Sequence, residues 1–143
     1  MIHKIAARQF HMLRVVYFSM IFGVLIFFIL AHYMIGIKEY SESLSPILKY
    51  LPATLLICGL IIGYIIKDSL IKRARVQNDI HTALSQVKIA YLIVYVLVEV
   101  PILIAIVLSI LYGDILFTIT ALGGLLVFYF LKPAQQDFTA LIN

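Results

Sequence analysis

A run of twenty-five residues between Lys88 and Asp114 holds only apolar, small or aromatic side chains apart from Glu99. About 20 apolar residues suffice for an α-helix to cross the ~30 Å of hydrocarbon in a bilayer. The run therefore predicts a membrane-spanning helix with one carboxyl group in its interior. A central acid such as Asp costs about 2.5 to 3.5 kcal/mol on insertion scales, so Glu99 is expected to have a partner, a proton or a function.

The composition of the whole chain agrees with a membrane location. Its 143 residues are 64% hydrophobic and 13% charged, and average globular chains carry about twice that charge. The apolar segments and the connections between them predict one all-α domain, residues 1–143, folded as an integral membrane four-helix antiparallel bundle. The predicted helices cover about 12–37, 46–76, 79–112 and 115–132, with a polar hairpin tip at about 76–80.

The placement of the basic residues predicts the orientation. Nine of the eleven Lys and Arg residues lie in alternate connections, which is the positive-inside pattern. This pattern predicts cytoplasmic N- and C-termini in a multi-pass protein of a bacterial-type inner (plasma) membrane. Aromatic side chains do not interleave with the basic run 72–75, so the net charge of +4 is interpreted as contact with lipid headgroups and solvent, and no nucleic-acid partner is expected. The nine residues are Lys4, Arg8, Arg14, Lys67, Lys72, Arg73, Arg75, Lys88 and Lys132.

Prolines and polar residues indicate where the helices begin. Ser45 followed by Pro46 has the form of an N-cap with proline at the first helical position, and Pro52 should then kink or loosen the first turns. Asn78 or Asp79 is the predicted cap of the third helix. Residues 1–14 have apolar side chains at helical spacing, and they either form an interfacial helix or continue directly into the first span.

Three tyrosines could lie near the depth of Glu99. Tyr95 is one turn away on the same helix, whereas Tyr64 and Tyr129 are reached by counting fifteen residues inward from Lys49 and Asp114, as Glu99 is. Pro101 also removes the hydrogen bond that the carbonyl of Leu97 would accept. These groups predict an oxygen-rich spot in which Glu99 binds H⁺ or Na⁺; alternatively, Glu99 stays protonated and joins two helices by a hydrogen bond.

The segment Leu97-Val98-Glu99-Val100-Pro101-Ile102, followed by an aliphatic run to a Tyr near the helix end, resembles the ion-binding helix of rotor-ring c subunits of F-type ATP synthases. The resemblance covers about residues 53–112, including an apolar helix with Gly59 and Gly63 and a polar loop with Arg75 and Gln77. It implies that Glu99 carries the ion and that the loop from Arg75 through Gln77 to Asn78 contacts a soluble partner.

Small residues indicate where helices approach one another. Gly59 and Gly63 on the second helix, and Thr120 and Gly124 on the fourth, have the small-xxx-small spacing of close helix contacts, either within the bundle or between copies. The single cysteine, Cys58, is interpreted as a small core residue.

The sequence contains few candidates for enzyme chemistry. His3, His11, His32 and His81 share no helix face inside the membrane, so neither a haem nor a metal site is expected within one chain. No catalytic triad or phosphate loop is present, and no cofactor is predicted.

Two functions therefore remain in view, and both make the chain a homo-oligomer or a partner of other membrane subunits. One is a subunit of an H⁺- or Na⁺-translocating assembly that uses Glu99. The other is a non-catalytic accessory subunit of a larger membrane complex, respiratory or secretory, in which Glu99 is a fixed hydrogen-bonding group. An enzyme acting on lipids or quinones is a third reading, supported only by the tyrosines.

Overall fold

The computed structural model describes residues 2–35 and 45–141, and all the regular secondary structure in those residues is helical. Three of these helices are long and apolar enough to cross a membrane, whereas a fourth apolar helix has only 16 residues. The prediction of an all-α membrane protein is confirmed at this level. The connection before Ser45 lies mostly outside the described residues. The helices are α1 (Ile2–Ile35), α2 (Pro46–Arg75), α3 (Ile80–Tyr112), α4 (Ile115–Phe130) and α5 (Gln135–Thr139).

The N-terminal segment is continuous with the first long helix. Because α1 begins at Ile2 and continues to Ile35, residues 2–14 extend the apolar helix and do not form a separate one. The structure therefore has the alternative in which the N-terminal residues continue directly into the first span.

Side-chain caps fix the two tight connections. The Asp79 carboxylate accepts hydrogen bonds from the hydroxyl and backbone N–H of Thr82 and from the N–H of His81. The bond from the Thr82 hydroxyl is the main reason that the pKa of Asp79 lies below its usual value. Gly113 takes the left-handed conformation after α3, with φ 68°, and Asp114 then accepts from the N–H of Leu116 at the start of α4. These caps explain why the chain turns within two to four residues at both places.

Helix α3 is the central element, because it packs against α1, α2 and α4. Tyr17 of α1 lies against Tyr95 and Phe128, and His32 lies near Thr118 of α4. Helix α1 therefore runs antiparallel to α4 and in the same direction as α3. The N-terminal half of α1, the α2–α3 connection and the end of α4 consequently lie together at one end of the helices. We call this the basic end, since it carries the nine basic residues named above.

The contact between α2 and α3 depends on glycine. A Cβ on Gly59 would lie 2.5 Å from the carbonyl oxygen of Leu97, and one on Gly63 would lie 3.5 Å from Val94. Only a residue without a side chain lets the two backbones approach this closely. On α4, a Cβ on Gly124 would lie 2.5 Å from the side chain of Ile102. Thr120 is half-buried, and its hydroxyl donates to the Leu116 carbonyl of its own helix.

Two details differ from the sequence interpretation. Cys58 is exposed and not a core residue, because Gly59 and Leu56 provide the buried face of α2 at this level. The C-terminal segment, in which no helix was predicted after residue 132, forms α5 and buries Phe138, whose ring packs edge-on against Phe10 at 5.6 Å.

Candidate functional site

Glu99 is half-buried on α3, beside the outward-facing side chains of Val96 and Val100. Within the described residues, its carboxyl group makes no hydrogen bond and no ion pair. The predicted membrane helix therefore does carry an acid, and the rest of the described chain does not compensate it.

Tyr95 is turned into the core. Its ring lies 5.3 Å from that of Tyr17, 5.7 Å from Phe128 and 6.0 Å from Tyr91, centroid to centroid. Its hydroxyl is buried and has no hydrogen-bond partner among the described residues. Although it is one turn from Glu99, Tyr95 does not donate to that carboxyl group.

Tyr64 does not lie at the depth of Glu99. Because Gly63 packs against Val94, Tyr64 is displaced from Glu99 by about 9 Å along the helix axis, six residues at 1.5 Å each. The count assumed that the backbones of Lys49 and Asp114 lie at the same depth. Their side chains do form an ion pair, with the Lys49 ammonium 3.1 Å from Asp114. A long lysine side chain makes this ion pair, so the two backbones need not start at the same depth.

Tyr129 is half exposed at the end of α4, and the Lys132 ammonium lies 4.1 Å from the centre of its ring. The carbonyl of Leu97, expected to be free, faces Gly59 across the α2–α3 contact. Neither group is bonded to Glu99. The predicted set of Glu99, Tyr95, Tyr64, Tyr129 and Leu97 is thus not gathered into one site in the single chain. No cluster of three or more His, Cys, Asp or Glu residues suited to a metal ion occurs in residues 2–35 and 45–141.

The predicted partner loop is open to its surroundings. Arg75, Gln77 and Asn78 are all exposed at the tip between α2 and α3. The backbone N–H of Gln77 donates to the carbonyl of Ala74, so the tip is a tight turn and not a long loop.

A network of polar side-chain contacts lies at the basic end, around the corner between α4 and α5. Pro133 has no N–H with which to satisfy the carbonyl of Tyr129, and the Tyr17 hydroxyl donates to that carbonyl at 2.6 Å. The Tyr91 hydroxyl accepts from the N–H of Ala134 at 3.0 Å and donates to the Asp137 carboxylate at 2.6 Å. Two tyrosines from α1 and α3 therefore hold the end of α4 and the start of α5.

Lys67 of α2 lies beside this network. Its ammonium is 4.1 Å from the centre of the Tyr91 ring and 4.0 Å from an oxygen of Asp137. It marks one side of an apolar cavity of about 510 Å³ between α2 and α4, with α3 as its floor. We call this cavity the α2–α4 groove; its lining includes Leu60, Ile65, Lys67, Tyr91, Phe130 and Lys132.

Sequence reasoning missed this network although part of its signal was present. Pro133 leaves the carbonyl of Tyr129 without a donor, and Asp137 is the only acid after Asp114. Both facts require partners from elsewhere in the chain. The identity of those partners, Tyr17 and Tyr91, depended on helix register, which the sequence did not provide.

No family model, no curated protein and no solved structure matches this chain. The class that the fold supports is a membrane-associated α-helical protein with three long apolar helices.

Proposed function

We propose that this chain is a subunit of a larger membrane assembly, and that Glu99 is the point at which another membrane chain completes its contacts. The observation that carries the proposal is the half-buried carboxyl group with no partner among the described residues. Leaving such a group without a partner in hydrocarbon costs about 2.5 to 3.5 kcal/mol. A donor from a second chain would offset that cost.

The surroundings of Glu99 support a helix contact. Val96, Val100 and Val107 are exposed apolar residues of α3, and they extend along the helix on the side of Glu99 that faces away from the core. A narrow apolar stripe with one hydrogen-bonding group is a suitable surface for another transmembrane helix.

We further propose that four helices span the membrane, α4 being the shortest, and that both termini and the α2–α3 tip are cytoplasmic in an inner membrane. The positive-inside pattern supports this orientation. In a Cys58→Ser background, Gln77→Cys should react with a membrane-impermeant maleimide only from the cytoplasmic side, and Ser45→Cys only from the opposite side. Labelling of both positions from the same side would overturn the orientation.

A second candidate is ion translocation, in which Glu99 carries H⁺ or Na⁺ and a partner subunit supplies an arginine. The accessible position of Glu99 and the resemblance of residues 97–102 to c-subunit helices favour it. The absence of a second oxygen ligand from the described chain means that the ion site would have to be completed by the assembly.

Two substitutions separate the candidates. Gln retains hydrogen bonding but cannot carry a proton, whereas Leu does neither. If Glu99 is a fixed contact, Glu99→Gln keeps the assembly that crosslinking and native electrophoresis detect, and Glu99→Leu weakens it. If Glu99 is an ion carrier, Glu99→Gln leaves the assembly intact but abolishes H⁺ or Na⁺ flux into vesicles, and carbodiimide labelling of Glu99 depends on pH or Na⁺.

Ile26→Leu is the control, because it changes an exposed apolar residue of α1, outside the stripe of Val96, Val100 and Val107, without altering charge or hydrogen bonding. Its assembly and flux should equal those of the unchanged chain. If Glu99→Leu behaves like Ile26→Leu in both assays, Glu99 has neither role and both candidates fail.

A further inference from the structure

The α2–α4 groove combines apolar walls with a basic rim. Leu60, Ile65 and Phe130 are among the residues that line its apolar part. Lys67 and Lys132 form its basic rim. Its volume of about 510 Å³ falls within the ~300 to 1,000 Å³ usual for ligand sites. A molecule that matches this groove needs a hydrocarbon part and a negatively charged end.

Neither lysine of the rim donates a hydrogen bond to another of the described residues. The Lys67 ammonium lies 4.0 Å from Asp137, beyond hydrogen-bonding distance, and the Asp137 carboxylate already accepts from the Tyr91 hydroxyl. The Lys132 ammonium lies over the face of the Tyr129 ring, 4.1 Å from its centre. An ammonium has three donors, so the rim offers up to six N–H groups and a net charge of +1 after Asp137 is counted.

The rim lies at the depth of the lipid headgroups in the bilayer. Helix α4 has 16 residues, about 24 Å at helical rise, so Lys132 follows directly on a segment shorter than the bilayer core. Lys67 lies eight residues before the end of α2, and the rest of the hairpin extends beyond it. Lysines at this level extend their ammonium groups toward lipid phosphates.

We propose that the α2–α4 groove binds one anionic phospholipid, with an acyl chain between α2 and α4 and the phosphate between Lys67 and Lys132. The charge of the rim selects an anionic over a zwitterionic lipid, and the apolar walls select a lipid over free phosphate. This binding site does not depend on the role of Glu99.

Native mass spectrometry of the full chain in detergent tests the proposal. Dioleoylphosphatidylglycerol should bind in one copy, and more tightly than dioleoylphosphatidylcholine. Removing both lysines by Lys67→Met with Lys132→Met should weaken phosphatidylglycerol binding about thirtyfold, which corresponds to about 1 kcal/mol for each lysine. Lys72→Met with Arg73→Met removes the same charge from the exposed hairpin, and binding should change by less than about twofold.

Equal binding of the two lipids to the unchanged chain would overturn the proposal, and so would an equal loss of binding in both double variants. Displacement of the lipid by millimolar inorganic phosphate would also overturn it, because it would show a phosphate site without a role for the acyl chain.

Photolabelling of the unchanged chain does not depend on how the variants fold. A phosphatidylglycerol with a diazirine on its acyl chain should label residues 60–65 of α2 or 130–131 of α4. Labelling confined to α1 would contradict the proposed position.

Discussion

Replacement of Gly59 by Ala tests the close approach of α2 and α3. The added Cβ would lie 2.5 Å from the Leu97 carbonyl oxygen, whereas ordinary contact begins near 3.4 Å, so the two backbones must separate by about 0.9 Å. The carbonyl belongs to the helix backbone and cannot rotate away as the end of a side chain could. We therefore expect Gly59→Ala to lower the free energy of unfolding.

The size of the expected loss in the free energy of unfolding follows from the gap that opens between α2 and α3. A gap of 0.5 to 1 Å loses about a quarter to a half of each dispersion contact along the interface. Overpacking of a well-packed contact typically costs about 1 to 3 kcal/mol. Gly→Ala inside a helix also gains up to about 1 kcal/mol from backbone propensity, which would mask part of the loss.

Gly23→Ala is the matched control, since a Cβ on Gly23 meets nothing within 4 Å. Both substitutions carry the same propensity gain, so the difference between them isolates the contact with Leu97. We expect Gly59→Ala to be about 1 to 3 kcal/mol less stable than Gly23→Ala when both are unfolded in mixed micelles. If the two variants were equally stable, α2 and α3 would not be in backbone contact at Gly59.

Two further substitutions test the polar contacts at opposite ends of the helices. Tyr91→Phe removes the hydroxyl that accepts from the N–H of Ala134 and donates to the Asp137 carboxylate. It should cost about 1 to 3 kcal/mol because one of the two lost hydrogen bonds is made to a charged group, and hydrogen exchange at residues 134–138 should rise. The hydrogen bond from the N–H of Leu116 is the main reason that the pKa of Asp114 lies below its usual value. The carboxylate therefore stabilises the fold above the pKa of the unfolded state, and this stabilisation is lost as the pH falls through the lower pKa of the folded state. Unfolding measured between about pH 5 and pH 2 should therefore depend less on pH in Asp114→Asn than in the unchanged chain.

The controls for these substitutions come from exposed groups. Tyr33→Phe removes a hydroxyl from a side chain that is 85% exposed, and it should leave both stability and exchange unchanged. If Tyr91→Phe gave the same exchange pattern as Tyr33→Phe, the Tyr91 hydroxyl would not hold the α4–α5 corner. An unchanged pH dependence in Asp114→Asn would show that the ionised carboxylate of Asp114 does not contribute to folding.

The sequence and the structure agree best where a signal is local. Ser45-Pro46, Asp79 and Gly113-Asp114 mark helix ends in the sequence, and the helices begin and end within a residue or two of them. These signals act through backbone bonds between near neighbours, so they need no knowledge of the rest of the fold.

Agreement is poorest where depth was inferred by counting. Tyr64 was placed beside Glu99 on the assumption that α2 and α3 start at one level, yet the Gly63–Val94 contact displaces it by more than a turn. Tyr95 was near enough to Glu99 in sequence, but its ring joins Tyr17 and Phe128 in the core. Helical periodicity shows on which face of its helix a residue lies, but not which other helix packs against that face.

The sequence by itself determined that long helices form, where they end and that one acid lies inside an apolar run, because hydrophobicity and caps are properties of neighbouring residues. Only the tertiary structure decided that Gly59 covers the Leu97 carbonyl, that Tyr17 and Tyr91 hold the α4–α5 corner, and that Lys67 and Lys132 meet at one groove. Those contacts depend on the position of each helix along α3. The Gly59 and Gly63 contacts and the bond to the Tyr129 carbonyl fix that position, and they join residues that are far apart in the chain.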